Sequence, residues 1–173
     1  MSRPGVKKAS PRTVEVRTAA PTDASAVSAV LREAFGVYRD QYTADALAVV
    51  TPAVSEIERR FEEGPQWVAL IDNKVVGTVS VTVEDGDLYV RSMAVAPDAQ
   101  GRGVGHKLLD AIDVYAARTR FVRIFLYTTY FSAGAKELYE KHGYTWVRDT
   151  PAEEWYGVPG LEMEKFLGRE NAA

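Results

Sequence analysis

The sequence predicts an α/β (α+β) fold of three layers, in which helices cover both faces of a mixed central sheet of about six or seven strands. Runs rich in valine, isoleucine and aromatic residues alternate with stretches of helical periodicity along the chain. Three of these runs follow one another through short turn-forming links, which indicates an antiparallel meander. A strand, a helix and a further strand come next, an order that favours parallel pairing.

Length and composition indicate one globular domain. The chain has 173 residues, of which 46% are apolar, and it shows neither an internal repeat nor a domain boundary. We expect a single domain over residues 13–168, with flexible tails at residues 1–12 and 169–173.

Charge and residue usage argue against several classes of function. The formal net charge of −3 gives no overall attraction to nucleic acid or to an anionic membrane. The absence of cysteine excludes disulfides and thiolate chemistry, and the 2 histidines are too few for a metal site of their own. No apolar run approaches the roughly 18 residues of a membrane span. We therefore expect no metal, nucleic acid or membrane as a partner, and a cytoplasmic location.

The first third of the chain predicts one strand and two helices. Residues 14–18 alternate between apolar and polar side chains, and Pro21-Thr22-Asp23 then supplies a helix start. Helical spacing of apolar residues follows, and the pattern weakens over residues 36–51. Thr51-Pro52 starts a second helix, which Gly64-Pro65 ends.

Three predicted strands form the meander. They cover residues 66–71, 74–83 and 88–95, and turn-forming residues separate them. These links are Asp72-Asn73 and Glu84-Asp85-Gly86-Asp87.

The second half of the chain continues with a glycine-rich turn and five further elements. An amphipathic helix follows the turn, and an alternating strand covers residues 121–127. A helix starting near Ser132 ends at Gly143, which is placed to adopt the left-handed cap conformation. Two late strands, near residues 144–148 and 161–167, flank a loop.

The glycine-rich turn runs from Gln100 to Gly105, with the sequence Gln-Gly-Arg-Gly-Val-Gly. Its three glycines keep side chains away from the backbone, and the first amides of a helix starting near Gly103 have no partner in their own helix. Such amides can converge on a diphosphate, and Arg102 can add a charge-assisted contact from the rim.

Two other phosphate-binding motifs fit this turn less well. A P-loop requires Gly-Lys followed by serine or threonine, whereas His106-Lys107 follows Gly105. A dinucleotide fingerprint requires a later third glycine and a carboxylate after the next strand, which here ends Tyr127-Thr128-Thr129. The interpretation of the chain as a nucleotide-dependent oxidoreductase would therefore be supported by the glycine-rich turn alone.

Two motifs of the chain resemble those of the Gcn5-related N-acetyltransferase (GNAT) family. Residues 100–105 match its Gln/Arg-x-x-Gly-x-Gly/Ala motif, and Met93-Ala94-Val95-Ala96-Pro97 resembles its fourth strand and the exit from it. Downstream, residues 135–144 resemble its Leu-Tyr-Glu-Lys-x-Gly-Phe segment, at the distance expected after one helix and one strand. Element order extends the resemblance over residues 14–167.

The resemblance implies acetyl-coenzyme A as the donor, bound in a gap between splayed fourth and fifth strands. The pantetheine arm would pair with the edge of the fourth strand, and the N–H of Val95 would stabilise charge on the thioester oxygen. The implied cofactor-binding residues are Met93, Ala94, Val95, Gln100, Gly101, Arg102, Gly103, Val104, Gly105, His106 through its main-chain amide, Ser132 and Tyr139.

Tyr139 matches the family tyrosine that can protonate the departing thiolate. With an ordinary pKa of about 10, its hydroxyl carries a proton at neutral pH and can donate it. Tyr139 also lies on the apolar helix face with Ala135 and Leu138, so a purely structural role is the alternative. Ser132 stands where the family often has asparagine, and a hydroxyl there can also cap the helix.

The attacking amine must first lose a proton, and the sequence marks no clear base for that step. Tyr89 takes the fourth-strand position at which some relatives carry a glutamate, and Glu84 lies in the turn before that strand. Glu33 and Asp40 are candidates by proximity in the fold alone. His142 is expected to act as a capping or surface residue.

Four aromatic residues are candidates for the acceptor pocket. Tyr38 and Tyr42 lie in the segment after the first helix, and Trp155 and Tyr156 lie in the late loop. These side chains either line the pocket or pack the loop onto the core.

The sequence thus predicts an N-acetyltransferase that moves the acetyl group of acetyl-coenzyme A to a primary amine of a small molecule or peptide, by direct attack in a ternary complex. A non-catalytic acyl-coenzyme A-binding or regulatory module is the alternative, because a clear base is missing and Ser132 departs from the family pattern. A homodimer is expected, since edge strands of such sheets often pair between subunits.

Overall fold

The computed structural model describes residues 12–168. The predicted tails at 1–12 and 169–173 lie outside this part of the chain, except for Arg12, whose Nε lies 3.2 Å from Asp72. The strands are β1 (Val14–Thr18), β2 (Gln66–Ile71), β3 (Lys74–Glu84), β4 (Asp87–Val95), β5 (Arg123–Thr128), β6 (Thr145–Thr150) and β7 (Gly160–Phe166). The helices are α1 (Ala24–Gly36), α2 (Ala44–Val50), α3 (Val54–Arg60), α4 (Val104–Thr119) and α5 (Ala135–Lys141).

The seven strands form a single mixed sheet in the order β1-β2-β3-β4-β5-β7-β6. The β4–β5 pair is parallel, and the other neighbouring pairs are antiparallel. This arrangement confirms the predicted mixed sheet, including the antiparallel meander and the parallel pair around α4.

Helices cover both faces of the sheet, as predicted. On one face, Leu108 and Ile112 of α4 are fully buried in a cluster that also contains Tyr139 of α5. On the other face, Leu31 of α1 and Ile57 of α3 are each 1% exposed in a second cluster. The helical periodicity of the sequence therefore reports two apolar faces that bury the sheet from opposite sides.

Strands β4 and β5 diverge after a short stretch of pairing. Their register runs through three pairs only and ends at Val90 opposite Leu126. The register of β4 with β3 shifts between Thr78 and Ser80, and Ser92 has a φ of 53° in the left-handed region. Such a bulge bends a strand locally, so β4 turns away from β5 and a gap opens between them.

Arg123 links the strands at the end where β4 and β5 begin, opposite to the gap. Arg123, the first residue of β5, donates from Nη1 to Asp87 of β4 over 2.9 Å and from Nε to Glu164 of β7 over 2.7 Å. Its Nη2 donates to Glu162, also on β7, over 3.2 Å. The guanidinium therefore joins three neighbouring strands at the end opposite to the gap.

Helix α2 lies in the segment where the sequence pattern weakened. Its N-cap is Thr43, whose hydroxyl accepts a hydrogen bond from the N–H of Ala46 over 3.1 Å. Ala46 is the one residue of α2 that is fully buried, so the helix lacks the apolar face that periodicity detects. No helix within residues 12–168 is long and apolar enough to span a bilayer.

Helix α5 starts three residues later than its sequence pattern suggested. Gly134 has a φ of 75°, a conformation that suits glycine, and it forms the N-cap in place of Ser132. At the other end Gly143 has a φ of 93°, in line with the predicted left-handed cap.

Candidate functional site

A cavity of about 810 Å³ opens where β4 and β5 diverge. The glycine-rich turn and the start of α4 close one side of it, and α5 lies beside them. The end of α1, Tyr42, α2 and Arg60 of α3 form the other side. One continuous space thus joins the glycine-rich turn on one side of the sheet to α1, α2 and α3 on the other.

The glycine turn presents its backbone to this cavity. Gly101 and Gly103 have φ values of 79° and 76°, which L-residues adopt only with strain. Gly103 is the N-cap of the 16-residue helix α4, so the N–H groups of Val104, Gly105 and His106 have no carbonyl of their own helix to bind. All four residues line the cavity, and the positive end of the helix dipole suits a diphosphate there.

Gly105 has a packing function in addition. A Cβ atom at this position would lie 2.7 Å from Cδ2 of Leu138 and 3.4 Å from Cε of Met93. The missing side chain therefore lets α4 approach α5 and β4 closely. Of the three glycines, two are needed for backbone conformation and the third for this contact.

Arg102 and Gln100 differ in their relation to the cavity. Arg102 is exposed and does not line it. Gln100 lines it, and its Nε2 donates to the carbonyl oxygen of Val95 over 3.3 Å.

The backbone of Val95 points into the gap. The N–H of Ala96 donates to the carbonyl of Val76 on β3 over 2.8 Å. Because neighbouring residues of a strand direct their backbone groups to opposite sides, the N–H and C=O of Val95 face β5, which has already diverged. Met93 lies two residues earlier and shares this direction, so β4 offers an unpaired edge to an extended ligand.

Tyr139 is buried and lines the cavity. Its ring packs edge-on against Tyr144, with 5.7 Å between the ring centroids. Burial, with a smaller contribution from Tyr89, raises the pKa of the Tyr139 hydroxyl well above its ordinary value. The group therefore keeps its proton over the working pH range and can act as a donor.

Ser132 lines the cavity next to a second hydroxyl. Its Oγ lies 2.7 Å from Oγ1 of Thr129. Tyr42 lines the same part of the cavity, and burial raises the pKa of its hydroxyl. Hydroxyl groups of the loop before α5 and of Tyr42 therefore border one region of the cavity.

The two candidate bases differ in position. Glu84 is exposed at the β3–β4 turn and lies outside the cavity lining. Tyr89 lines the cavity, but burial raises its pKa to about 12, so it holds its proton at neutral pH. The carboxylates along the lining are Glu137 and Glu154, and Nη1 of Arg148 holds Glu154 at 2.9 and 3.0 Å. Glu33 and Asp40 are exposed and outside the lining.

Three of the four predicted aromatic residues line the cavity together. Tyr42 stands between Phe131 and Trp155, with ring centroids 5.0 and 6.3 Å away, and Tyr38 lies 5.7 Å from Phe131. The Tyr38 hydroxyl also accepts a hydrogen bond from the N–H of Ala133 over 3.0 Å. Tyr156 is outside the lining, and the residue is 53% exposed.

Sequence reasoning missed two arginines that line the cavity. Arg60 ends α3 and Arg91 lies within β4, and their side chains are only 12% and 20% exposed. A charged residue inside an otherwise apolar strand was a signal for Arg91. Nothing local marked Arg60, because chain folding alone brings it to β4.

The two histidines form a polar cluster between α4 and the end of α5. Nε2 of His142 lies 3.1 Å from Asp113 and 3.4 Å from Asp110, while its Nδ1 lies 3.4 Å from Nδ1 of His106. The ammonium of Lys165 already binds the same Asp113 oxygen over 2.7 Å. His142 is the C-cap of α5, as expected, and its side chain is largely buried in this cluster.

Comparison with known proteins links this geometry to one family. The model of the "Acetyltransferase (GNAT) family" matches residues 29–144. N-acetylaspartate synthetase from Xenopus tropicalis is 31% identical over 113 residues, covering 62% of this chain and 41% of that protein. Mycothiol acetyltransferase from Beutenbergia cavernae is 36% identical over 112 residues, covering 61% and 36%. The chain thus spans well under half the length of these relatives.

Solved structures show the same fold at low sequence identity. The PaiA N-acetyltransferase from Thermoplasma acidophilum, solved in complex with coenzyme A, has a TM-score of 0.72 at 18% identity, covering 90% of this chain and 99% of that one. Aminoglycoside 6'-acetyltransferase type Ii has a TM-score of 0.70 at 18% identity, with the same coverage. Since the family model matches well over half of its residues, the chain belongs to the acetyltransferase (GNAT) family.

Proposed function

We propose that this chain transfers the acetyl group of acetyl-coenzyme A to a primary amine of a small molecule or peptide, by direct attack in a ternary complex. The observation that carries the proposal is the continuous cavity, which joins the amides at the start of α4 to the open edge of β4 and then to the aromatic wall around Tyr42. Donor and acceptor can therefore meet at the thioester without a covalent enzyme intermediate.

The donor end is built for an anion followed by an extended arm. The amides of Gly103, Val104 and Gly105 are available to a diphosphate, and the edge of β4 around Met93 and Val95 can pair with the amide groups of a pantetheine arm. These residues fit coenzyme A, which carries both features.

Two groups would act at the reacting carbon. The N–H of Val95 would donate to the thioester oxygen as it gains negative charge, a contribution of about 3 to 4 kcal/mol for one well-placed donor. Tyr139 would protonate the departing thiolate, since its raised pKa keeps the hydroxyl protonated.

The amine would lose its proton through water rather than to a dedicated carboxylate. Tyr89 is protonated at neutral pH and Glu84 lies away from the cavity. Of the two carboxylates along the lining, Glu154 is held by Arg148 in an ion pair, and Glu137 is exposed to solvent in the first turn of α5. An amine with a pKa near that of an α-amino group, about 8, already supplies a useful fraction of the neutral form.

The remaining partners are part of the same proposal. A net charge of −3 favours small or peptide acceptors over nucleic acid or an anionic membrane surface. A cysteine-free chain suits a reducing compartment, so we propose the cytoplasm. We also propose a homodimer through the exposed edge of β6, where Trp146 is 53% exposed.

A panel of primary amines with acetyl-coenzyme A, followed by the release of free thiol, tests the function. We expect thiol release that depends on both substrates, with saturation in each at fixed levels of the other and intersecting double-reciprocal plots. Calorimetric binding of coenzyme A without turnover on any amine would instead favour a binding or regulatory module. Binding of neither acetyl-coenzyme A nor coenzyme A would overturn the assignment.

A further inference from the structure

We propose that Arg60 and Arg91 form a carboxylate-binding site on the acceptor side of the cavity, so that the amine acetylated by this chain belongs to an amino acid or a similar molecule with a free carboxylate. The inference rests on the proposed acetyl transfer and names the class of its acceptor.

Both arginines stand on the side of the sheet away from α4. Arg60 lies at the end of α3, which packs with α1 on that face. Side chains alternate along β4, and Val90 belongs to the cluster beneath α4, so Arg91 points to the opposite face. The two side chains therefore line the part of the cavity that the donor site leaves free.

Both guanidinium groups have N–H donors that make no hydrogen bond within residues 12–168. Arg60 donates from Nη1 to Oγ of Ser92 over 3.0 Å, and its Nη2 makes no hydrogen bond to residues 12–168. Arg91 donates from Nη2 to Glu63, and its Nη1 makes no hydrogen bond to residues 12–168. A carboxylate in the cavity would accept hydrogen bonds from the Nη groups that the protein leaves unused.

The charges around the pair favour an anion inside the cavity. The acidic partners of these arginines, Glu56 and Glu63, lie outside the cavity lining. Burial, reinforced by the nearby charge of Arg91, lowers the pKa of Arg60 from its ordinary value, although a guanidinium stays charged at any working pH. Two partly buried cations side by side repel each other, and an anion between them relieves that repulsion.

The distance to the reacting centre matches a small amino acid. Ser92, to which Arg60 is bound, precedes Val95 by three residues on β4, and the bulge at Ser92 keeps this separation below the roughly 10 Å of a fully extended strand. Arg91 reaches the cavity from β4 and Arg60 reaches it from α3, and the thioester would lie at Val95 in the same cavity. An acceptor of amino-acid size can then place its amine at the thioester and its carboxylate at the arginines.

The first experiment compares acceptors that differ only at the carboxylate. Phenylalanine, phenylalaninamide and 2-phenylethylamine, with the same series for other amino acids, are assayed by thiol release from acetyl-coenzyme A. We expect kcat/KM for the preferred free acid to exceed that for its amide roughly ten- to hundredfold, the range for a hydrogen-bonded ion pair. The amide has the less basic amine and loses its proton more readily, so amine basicity does not produce this preference.

The second experiment tests whether the two arginines bind the carboxylate of the acceptor. Arg60→Gln and Arg91→Gln should raise KM for the free acid roughly tenfold or more, leave the amide within about twofold, and leave the Kd of coenzyme A unchanged. Arg60→Lys should restore part of the preference because it keeps the charge. Arg59→Gln is the matched control, since Arg59 also binds Glu56 and Glu63 but is 57% exposed and outside the cavity.

The outcomes separate this inference from the proposed function. Acetylation of amines without preference for a carboxylate, or a preference that survives both glutamine variants, overturns the arginine site and leaves acetyl transfer intact. An equal loss for acid and amide in Arg60→Gln also overturns it, because Arg60 would then support the fold of the site alone. Absence of turnover with every acid, amide and amine counts against the proposed function itself.

Discussion

The side-chain amide of Gln100 donates a hydrogen bond to the carbonyl oxygen of Val95 over 3.3 Å. This contact ties the first residue of the glycine-rich turn to the last residue of β4. The start of α4 and the edge of β4, which we propose as the two halves of the donor site, are thereby linked to each other. Gln100 thus helps to fix the backbone of Val95 relative to the glycine-rich turn.

We expect Gln100→Ala to weaken coenzyme A binding about two- to tenfold. Loss of one ordinary hydrogen bond is worth about 0.5 to 1.5 kcal/mol, and this one is partly open to solvent. Isothermal titration with coenzyme A measures the change. Arg102→Ala is the comparison, because Arg102 lies outside the cavity lining and should change the Kd less than twofold. A larger effect for Arg102 would mean that its guanidinium binds the diphosphate directly.

Gly105→Ala should destabilise the fold by about 1 to 3 kcal/mol. The added Cβ would lie 2.7 Å from Cδ2 of Leu138, and relief requires a shift of the Leu138 side chain or of α5, which also carries Tyr139. Urea unfolding measures the loss. Gly36→Ala is the matched control, because nothing lies within 4 Å of a Cβ there and a helical alanine is neutral or stabilising by up to about 1 kcal/mol. Equal stability of the two variants would contradict the tight packing at Gly105.

Tyr139→Phe should lower kcat roughly 10²- to 10⁴-fold while leaving the Kd of coenzyme A nearly unchanged. A phenolic acid is active in its protonated form, so its activity is complete below its pKa and falls above it. The rate of the unmodified protein should rise with pH as the acceptor amine loses its proton. Because burial raises the pKa of Tyr139, we expect no decline in that rate up to about pH 10. A rate that already declines as the pH rises toward 9, or an unchanged kcat in the variant, would contradict the role of Tyr139 as the acid and leave it a residue of the hydrophobic core. Tyr115→Phe is the control, since Tyr115 packs on Trp67 outside the cavity.

Local sequence patterns predicted the strands and the conformation of the glycine-rich turn, because the physical causes of both are local. The meander strands appear within one residue of their expected bounds, and the glycines at 101 and 103 have the positive φ values that a tight turn demands. Two motifs were enough to predict the family. The free backbone amides at the start of a helix, which one of these motifs supplies, depend on neighbouring residues alone.

The acceptor side depends on contacts between distant segments, and there the sequence was less informative. Helix α2 buries only Ala46 completely, so its periodicity is faint, and its start depends on the Thr43 cap. Arg60 reaches the cavity because α3 packs across the sheet onto Ser92, 32 positions later. Such a juxtaposition follows from the fold and leaves no spacing pattern in the chain.

Arg123→Gln should destabilise the fold by about 2 to 3 kcal/mol and also weaken coenzyme A binding. The substitution leaves carboxylates of β4 and β7 without their shared cation, although Arg148 still binds Glu162 over 2.8 Å. The cost stays below the roughly 3 to 5 kcal/mol of a fully buried pair, because the Arg123 side chain is 22% exposed. Urea unfolding and coenzyme A titration measure the two effects. Arg12→Gln is the control, since its pair with Asp72 is 65% exposed on both sides and is worth less than about 1 kcal/mol. If Arg123→Gln loses stability but binds coenzyme A normally, the closed end of the β4–β5 pair has no influence on the gap at its other end.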